Sequence, residues 1–162
     1  MKKNPTKSDY KTILNKASRL CSTKEMCKTE IEEKLNIWGA AKSDFLKIIK
    51  YLENEKYIDE ERYANSFIHD KLLFNHWGKV KLKYFLKQKK ISENIISMAI
   101  NNIDEKKYFD IIKIELIKKL KTIKTKNQFE IKTKLVAYVV QKGFETDMAM
   151  KVADEILRNI DN

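Results

Sequence analysis

The side chains best suited to chemistry are few and poorly placed for it. His69 and His76 stand seven apart, so a continuous helix would carry both on one face, but no third ligand accompanies them at metal-binding spacing. They read as exposed or hydrogen-bonded histidines, and no metal is assigned. Cys21 and Cys27 form neither a CxxC pair nor a disulfide framework, and read as small buried side chains. There is no Gly-rich phosphate loop, no nucleophile elbow, and no carboxylate pair with an accompanying base. No catalytic residue or cofactor follows, and the expectation is a binding protein rather than an enzyme.

Binding chemistry is concentrated in lysine. The chain carries 34 basic against 23 acidic side chains, a net charge of +11, which attracts phosphates or an acidic protein surface. A Lys-rich codon usage would produce the same surplus. The densest segment holds Lys79, Lys81, Lys83, Lys87, Lys89 and Lys90. On a helix, Lys79, Lys83, Lys87 and Lys90 follow steps of four, four and three and share a face, while Leu82, Phe85 and Leu86 turn inward. Like charges so placed repel by roughly a few tenths of a kcal/mol per pair, which an anionic partner would relieve. A plain solvated helix face is the alternative. A second tract runs through Lys118, Lys119, Lys121, Lys124 and Lys126 to Lys132 and Lys134, with no acidic residue between Glu115 and Glu130. It is either a further contact or a polar link with lysines favoured by a helix C-terminus.

Helices must position these groups. Among 162 residues, 43% are hydrophobic and 35% charged, with only three Gly and one Pro, which disfavours a turn-rich β fold. No stretch approaches the ~20 apolar residues that span a bilayer, and Met1 to Pro5 lead into an amphipathic segment without a signal-peptide core. A reducing cytoplasmic location is expected. Ile31, Leu35, Gly39, Ala40, Ile49 and Leu52 describe a helix, a turn and a helix. Moving 51 residues on gives Leu82, Leu86, Lys90, Ile91, Ile100 and Ile103, and a further 53 gives Leu135, Val139, Gly143, Phe144, Ala153 and Ile156. A front helix precedes each pair: Ser8 to Leu20, then one capped by Asp59, then Glu105 to Lys121. Ser22 with Glu25 has capping-box spacing for the helix that follows the first. The predicted fold is all-α: three tandem three-helix repeats over 1–57, 58–104 and 105–162, stacked into an elongated, curved, monomeric body.

Within Ile58-Asp59-Glu60-Glu61-Arg62-Tyr63-Ala64-Asn65-Ser66-Phe67 the chain resembles the RecX family, with an acidic start, Arg62, the aromatic Tyr63, Ala64 and the aromatic Phe67 at the family's positions. Gly78, Lys81, Leu82, Leu86, Lys89, Lys90 and Ile91 stand where the family continues its pattern, and Gln141-Lys142-Gly143-Phe144 resembles the same turn again. Lys90 departs from the usual turn glycine and Lys81 from the usual arginine. The resemblance implies a non-enzymatic, three-repeat protein that lies in the groove of the RecA–DNA filament and restrains its growth or activity. It thereby implies a role in recombination, DNA repair and the SOS response; a groove binder with this positive charge can also contact single-stranded DNA phosphate directly.

Two functions therefore compete. One is a filament regulator using Lys79, Lys81, Lys83, Lys87, Lys90, Lys118, Lys119, Lys121, Lys132 and Lys134. The other is a stand-alone, non-specific DNA-binding module, since lysine supplies attraction without reading bases. Asp59, Arg62, Tyr63, Ala64, Phe67 and Gly78 have mainly structural readings: a cap with a local ion pair, core, and a helix start. Trp38-Gly39 and Trp77-Gly78 set a ring beside a turn, covering a repeat end in preference to stacking on a base.

Overall fold

The computed structural model describes residues 7–160. Its helices are α1 (Lys7–Thr23), α2 (Lys28–Ile37), α3 (Lys42–Asn54), α4 (Glu60–Leu73), α5 (Lys79–Gln88), α6 (Glu93–Asn101), α7 (Glu105–Leu120), α8 (Gln128–Gln141) and α9 (Thr146–Ile160). No strand occurs among the described residues. Extensive helix–helix packing falls inside the successive triads α1–α3, α4–α6 and α7–α9, so the chain is an array of three-helix repeats. No described helix is long and apolar enough to cross a membrane.

Local chemistry fixes the helix starts. Asp59, Asp104 and Asn127 accept the backbone N–H three residues on, at 3.0, 3.0 and 3.1 Å. Each such cap stabilises by about 1 kcal/mol. The capping box expected at Ser22 and Glu25 does not form. Helix α1 runs on through Thr23, and the Ser22 hydroxyl bonds back to the Ser18 carbonyl. The cap belongs instead to Cys27, whose N–H donates to the Glu30 carboxylate at 3.4 Å.

The recurring turn is the firmest mark of the repeat. Gly39, Lys90 and Gly143 have φ of +72°, +58° and +93°. The next residue in each case, Ala40, Ile91 or Phe144, donates its N–H to the carbonyl of Leu35, Leu86 or Val139 at 3.0–3.2 Å. That is the helix-ending motif that requires a left-handed residue, for which Gly is suited and Lys is not. Lys90 thus carries the strain that its departure from glycine implies. The equivalent apolar positions are buried in all three units, apart from the half-buried Ala40.

The units are unequally joined. One core holds Ala17, Met26, Ile31, Leu35, Ile48 and Leu52 of the first triad, while a second is shared by α4–α9, from Tyr63 through Tyr108 and Leu116 to Ile156, and takes in Cys27 from the first unit. Between the second and third triads the backbones meet. Gly78 N–H donates to the Lys142 carbonyl at 2.8 Å, and Val80 N–H to the Gly143 carbonyl at 2.9 Å. These fill first-turn donors of α5 that have no partner in their own helix.

Candidate functional site

Helix α5 carries the densest lysines, and the joint at Gly78 decides which of them face outward. Lys79 is drawn into the structure. Its N–H donates to the Tyr108 hydroxyl at 2.9 Å, and its ammonium pairs with Glu105 at 2.5 Å while lying over the Tyr108 ring. The side chain is only 15% exposed. Lys81 lies over the Trp77 ring at 4.5 Å, Lys87 pairs with Glu93 at 3.2 Å, and Lys89 with Glu30 at 3.4 Å. Lys90 does not extend the stripe, because α5 ends at Gln88 and Lys90 occupies the left-handed turn beyond it. The expected four-lysine face therefore reduces to Lys83 and Lys87.

What the outward face of α5 adds is apolar. Val80, Lys83, Tyr84 and Lys87 stand at helical spacing, and Val80 and Tyr84 are each 57% exposed. The Tyr84 ring meets Phe85 edge-on at 5.3 Å and otherwise faces out. Sequence reasoning passed over both residues. The signal was present, because Leu82, Phe85 and Leu86 define the inner face and leave Val80 and Tyr84 opposite it.

The second tract is also partly spent. Lys132 pairs with Asp154 of α9 at 2.7 Å, and Lys119 covers the Tyr138 ring. Lys118, Lys121 and Lys134 are exposed, and like Lys83 and Lys90 they enter no ion pair or ring contact among the described residues. The tract occupies the end of α7, the link and α8, apart from the α5 face.

The residues of the acidic–aromatic motif hold units together. Asp59 caps α4, but its expected ion pair with Arg62 is replaced by one across units: Arg62 Nε donates to Glu25 at 2.5 Å, and its guanidinium reaches the Lys56 carbonyl at 3.1 Å. Asp59 is already occupied by the Arg62 backbone. The Tyr63 hydroxyl donates to Glu30 at 3.0 Å, Ala64 is fully buried, and half-buried Phe67 stacks on Tyr63 and meets Trp77 edge-on. Trp38 packs on the first core beneath the Lys16 ammonium. Burial pushes the Cys21 thiol up to about 11 and also raises that of Cys27, so both are poor nucleophiles.

One charged residue is deeply buried. Glu115, 2% exposed, accepts from the His76 ring at 2.5 Å and the Tyr138 hydroxyl at 2.8 Å, with Lys142 Nζ at 3.6 Å. Burial alone would raise its pKa, but these donors and positive charges hold it below the usual carboxylate range. His76 comes from the α4–α5 loop and His69 pairs with Asp70, so the two share neither a face nor a ligand. Among the described residues no group of three His, Cys, Asp or Glu could hold a metal.

Known proteins share this architecture. A family model described as "RecX, second three-helix domain" matches residues 59–100. The regulatory protein RecX of Vibrio campbellii is 30% identical over 142 residues, 86% of this chain and 90% of that protein. RecX of Clostridium botulinum (strain Eklund 17B / Type B) is 31% identical over 130 residues, 79% of this chain, and the match spans 60% of the length of that clostridial relative. The crystal structure of RecX from Lactobacillus salivarius superposes with a TM-score of 0.82 over 93% of this chain and 97% of that one, at 21% identity.

Proposed function

The chain belongs to the RecX family, and from that premise we propose that it is a non-enzymatic regulator that binds the RecA–DNA filament and limits its growth or activity. Recombination, DNA repair and the SOS response would be modulated through that contact. Supporting it is the repeat array itself: the triads α1–α3, α4–α6 and α7–α9, which we assign to units 1–57, 58–104 and 105–162, suit a polymer groove better than a small substrate. Its carrying observation is the outward face of α5, where Lys83, and Lys87 tied to the exposed Glu93, flank Tyr84 beside exposed Val80. Lys90, Lys118, Lys121 and Lys134 supply further positive charge for long-range attraction. Lys79, Lys81, Lys119 and Lys132 act mainly by holding the surface in shape.

The test is RecA-catalysed ATP turnover and strand exchange on single-stranded DNA, with this protein added at amounts stoichiometric with the filament. Slowing is expected, and Lys83→Glu with Lys87→Glu should weaken it. Unchanged turnover and exchange would refute the reading.

A second reading, a stand-alone non-specific DNA module, draws on the same face, since an exposed ring between lysines can stack on a base while they neutralise phosphates. It requires the protein to bind oligothymidylate without recombinase, with affinity falling steeply in salt.

A further inference from the structure

The second helix of every repeat presents an outward face at equivalent positions, and its chemistry differs from unit to unit. In α2 these positions are Glu32, Glu33 and Asn36, with Thr29 turned to the Lys89 carbonyl of the next unit, in α5 they are Val80, Lys83, Tyr84 and Lys87, and in α8 Thr133, Val136, Ala137 and Val140. The buried positions of the same helices stay uniformly apolar, so core packing does not dictate the difference. On α8 the face opens into a groove of about 470 Å³ against α9, floored by Val136, Ala137, Val140 and Met150, edged by Thr133, Thr146 and the Asp154-paired Lys132, and ended by Phe129, which is 79% exposed.

The joint between units brings this groove to α5. Val140 and Thr146 flank the turn whose Lys142 and Gly143 carbonyls accept from Gly78 and Val80, at the start of α5. The turn thus stands between a basic face with one aromatic ring and a largely apolar groove.

We infer that the α5 face and the α8–α9 groove form one docking strip for an extended polypeptide segment of the partner, with acidic residues over Lys83 and Lys87 and apolar side chains in the groove ending at Phe129. This rests on the filament-binding reading and assigns the contact to the protein component. Charge complementarity selects the acidic half. A nucleic-acid backbone, charged at every residue, gains little from a groove whose one cation, Lys132, is already paired with Asp154 and whose floor is Val, Ala and Met, where desolvating phosphates is costly.

Three arms of one co-sedimentation experiment with RecA filaments on oligothymidylate test it, using the full chain. Phe129→Asp with Ala137→Asp, both at exposed positions, should weaken binding at least tenfold, and Phe129→Leu should restore most of it. Lys83→Glu with Lys87→Glu should weaken it comparably, while the same charge reversal at exposed Lys47 and Lys50 of α3, outside the strip, should change it less than threefold. Circular dichroism and thermal unfolding of each variant establish that it is folded. If the wild type does not co-sediment, the filament reading and this inference both fall. If it does, and the folded Phe129/Ala137 variant binds equally well, only the strip is overturned. The same holds if oligothymidylate alone binds as tightly as the filament and loses affinity only in the lysine variants, which would assign α5 to DNA.

Discussion

Replacing Gly78 by alanine isolates the joint between the second and third units. Gly78 has φ of −79°, which any residue adopts, so on backbone grounds alone alanine would stabilise by about 0.4–1 kcal/mol through the unfolded chain. Space reverses the sign. A Cβ there would stand 2.2 Å from Gly143 C and Phe144 N and 2.3 Å from Gly143 O, all backbone atoms of the facing turn. Restoring ordinary contact requires the two segments to separate by about 1 Å, at the low-compressibility packing of an interior. That movement breaks or stretches both cross-unit hydrogen bonds, from Gly78 at 2.8 Å and Val80 at 2.9 Å. Each is worth about 1 kcal/mol, and a buried donor left unpaired costs about 1–3 kcal/mol. After the entropy gain is subtracted, a net loss of about 2–4 kcal/mol remains.

The two tryptophans make this measurable. Trp38 packs on the first core and Trp77 on the core shared by α4–α9. In a Trp38→Phe background, urea unfolding followed by Trp77 fluorescence should show the Gly78→Ala midpoint lowered by roughly 1–2 M, given slopes of about 1–3 kcal/mol/M. Gly39→Ala is the matched contrast, read through Trp38. Gly39 has φ of +72° and nothing within 4 Å of an added Cβ, so only left-handed strain of about 1–2 kcal/mol applies. A Gly78→Ala midpoint equal to or above that of the parent would refute the argument from close approach.

Other perturbations follow from the same contacts. Lys90→Gly removes the left-handed strain of a non-glycine residue at φ +58° and should stabilise by about 1 kcal/mol in the same urea assay. Tyr108→Phe deletes the hydroxyl that accepts from Lys79 N–H and donates to Glu145, and should cost about 1–3 kcal/mol by thermal or urea unfolding. Glu115→Gln should destabilise at neutral pH. Because the folded pKa of Glu115 lies below its ordinary 4.5, its ionic contribution is complete above 4.5 and is lost as pH falls through the lowered value. The stability gap between parent and Glu115→Gln should therefore close in acid, and a gap constant with pH would contradict it.

Much of the architecture was legible in the sequence because it is local and periodic. Positions such as Ile31, Leu82 and Leu135 are buried at 0% exposure in every copy, and a turn residue placed at the same phase each time required positive φ. Asp59 also behaved as read, since an N-cap depends on residues three apart. What was not legible is non-local. Nothing adjacent in sequence announces that Glu105 captures Lys79, that Asp154 captures Lys132, or that Arg62 reaches back 37 residues to Glu25. Spacing counted lysines on a face without knowing which had acquired partners from another element. It also extended the stripe to Lys90, where the helix had already ended.

The unequal joining of the units bears on how such a body could meet a long, polymeric partner. Across the first joint the ties are side chains: Arg62 to Glu25, Tyr63 to Glu30, and Thr29 to the Lys89 carbonyl at 2.9 Å. Across the second they are backbone to backbone, with a shared core and no room for even a methyl group at Gly78. Side-chain ties, half exposed, yield at lower free energy than a buried backbone contact. The molecule is thus better described as a rigid block of α4–α9 carrying an α1–α3 unit that keeps its own core and lends Cys27 to the larger one. The rigid block holds the α5 face and the α8–α9 groove in fixed relation, as a two-part docking strip requires. Loosening that block at Gly78 should accordingly weaken partner binding even though no contact residue has changed, whereas loosening the first joint with Arg62→Ala should leave the α5 and groove contributions intact. Reversal of that order would place the contact on α1–α3 instead.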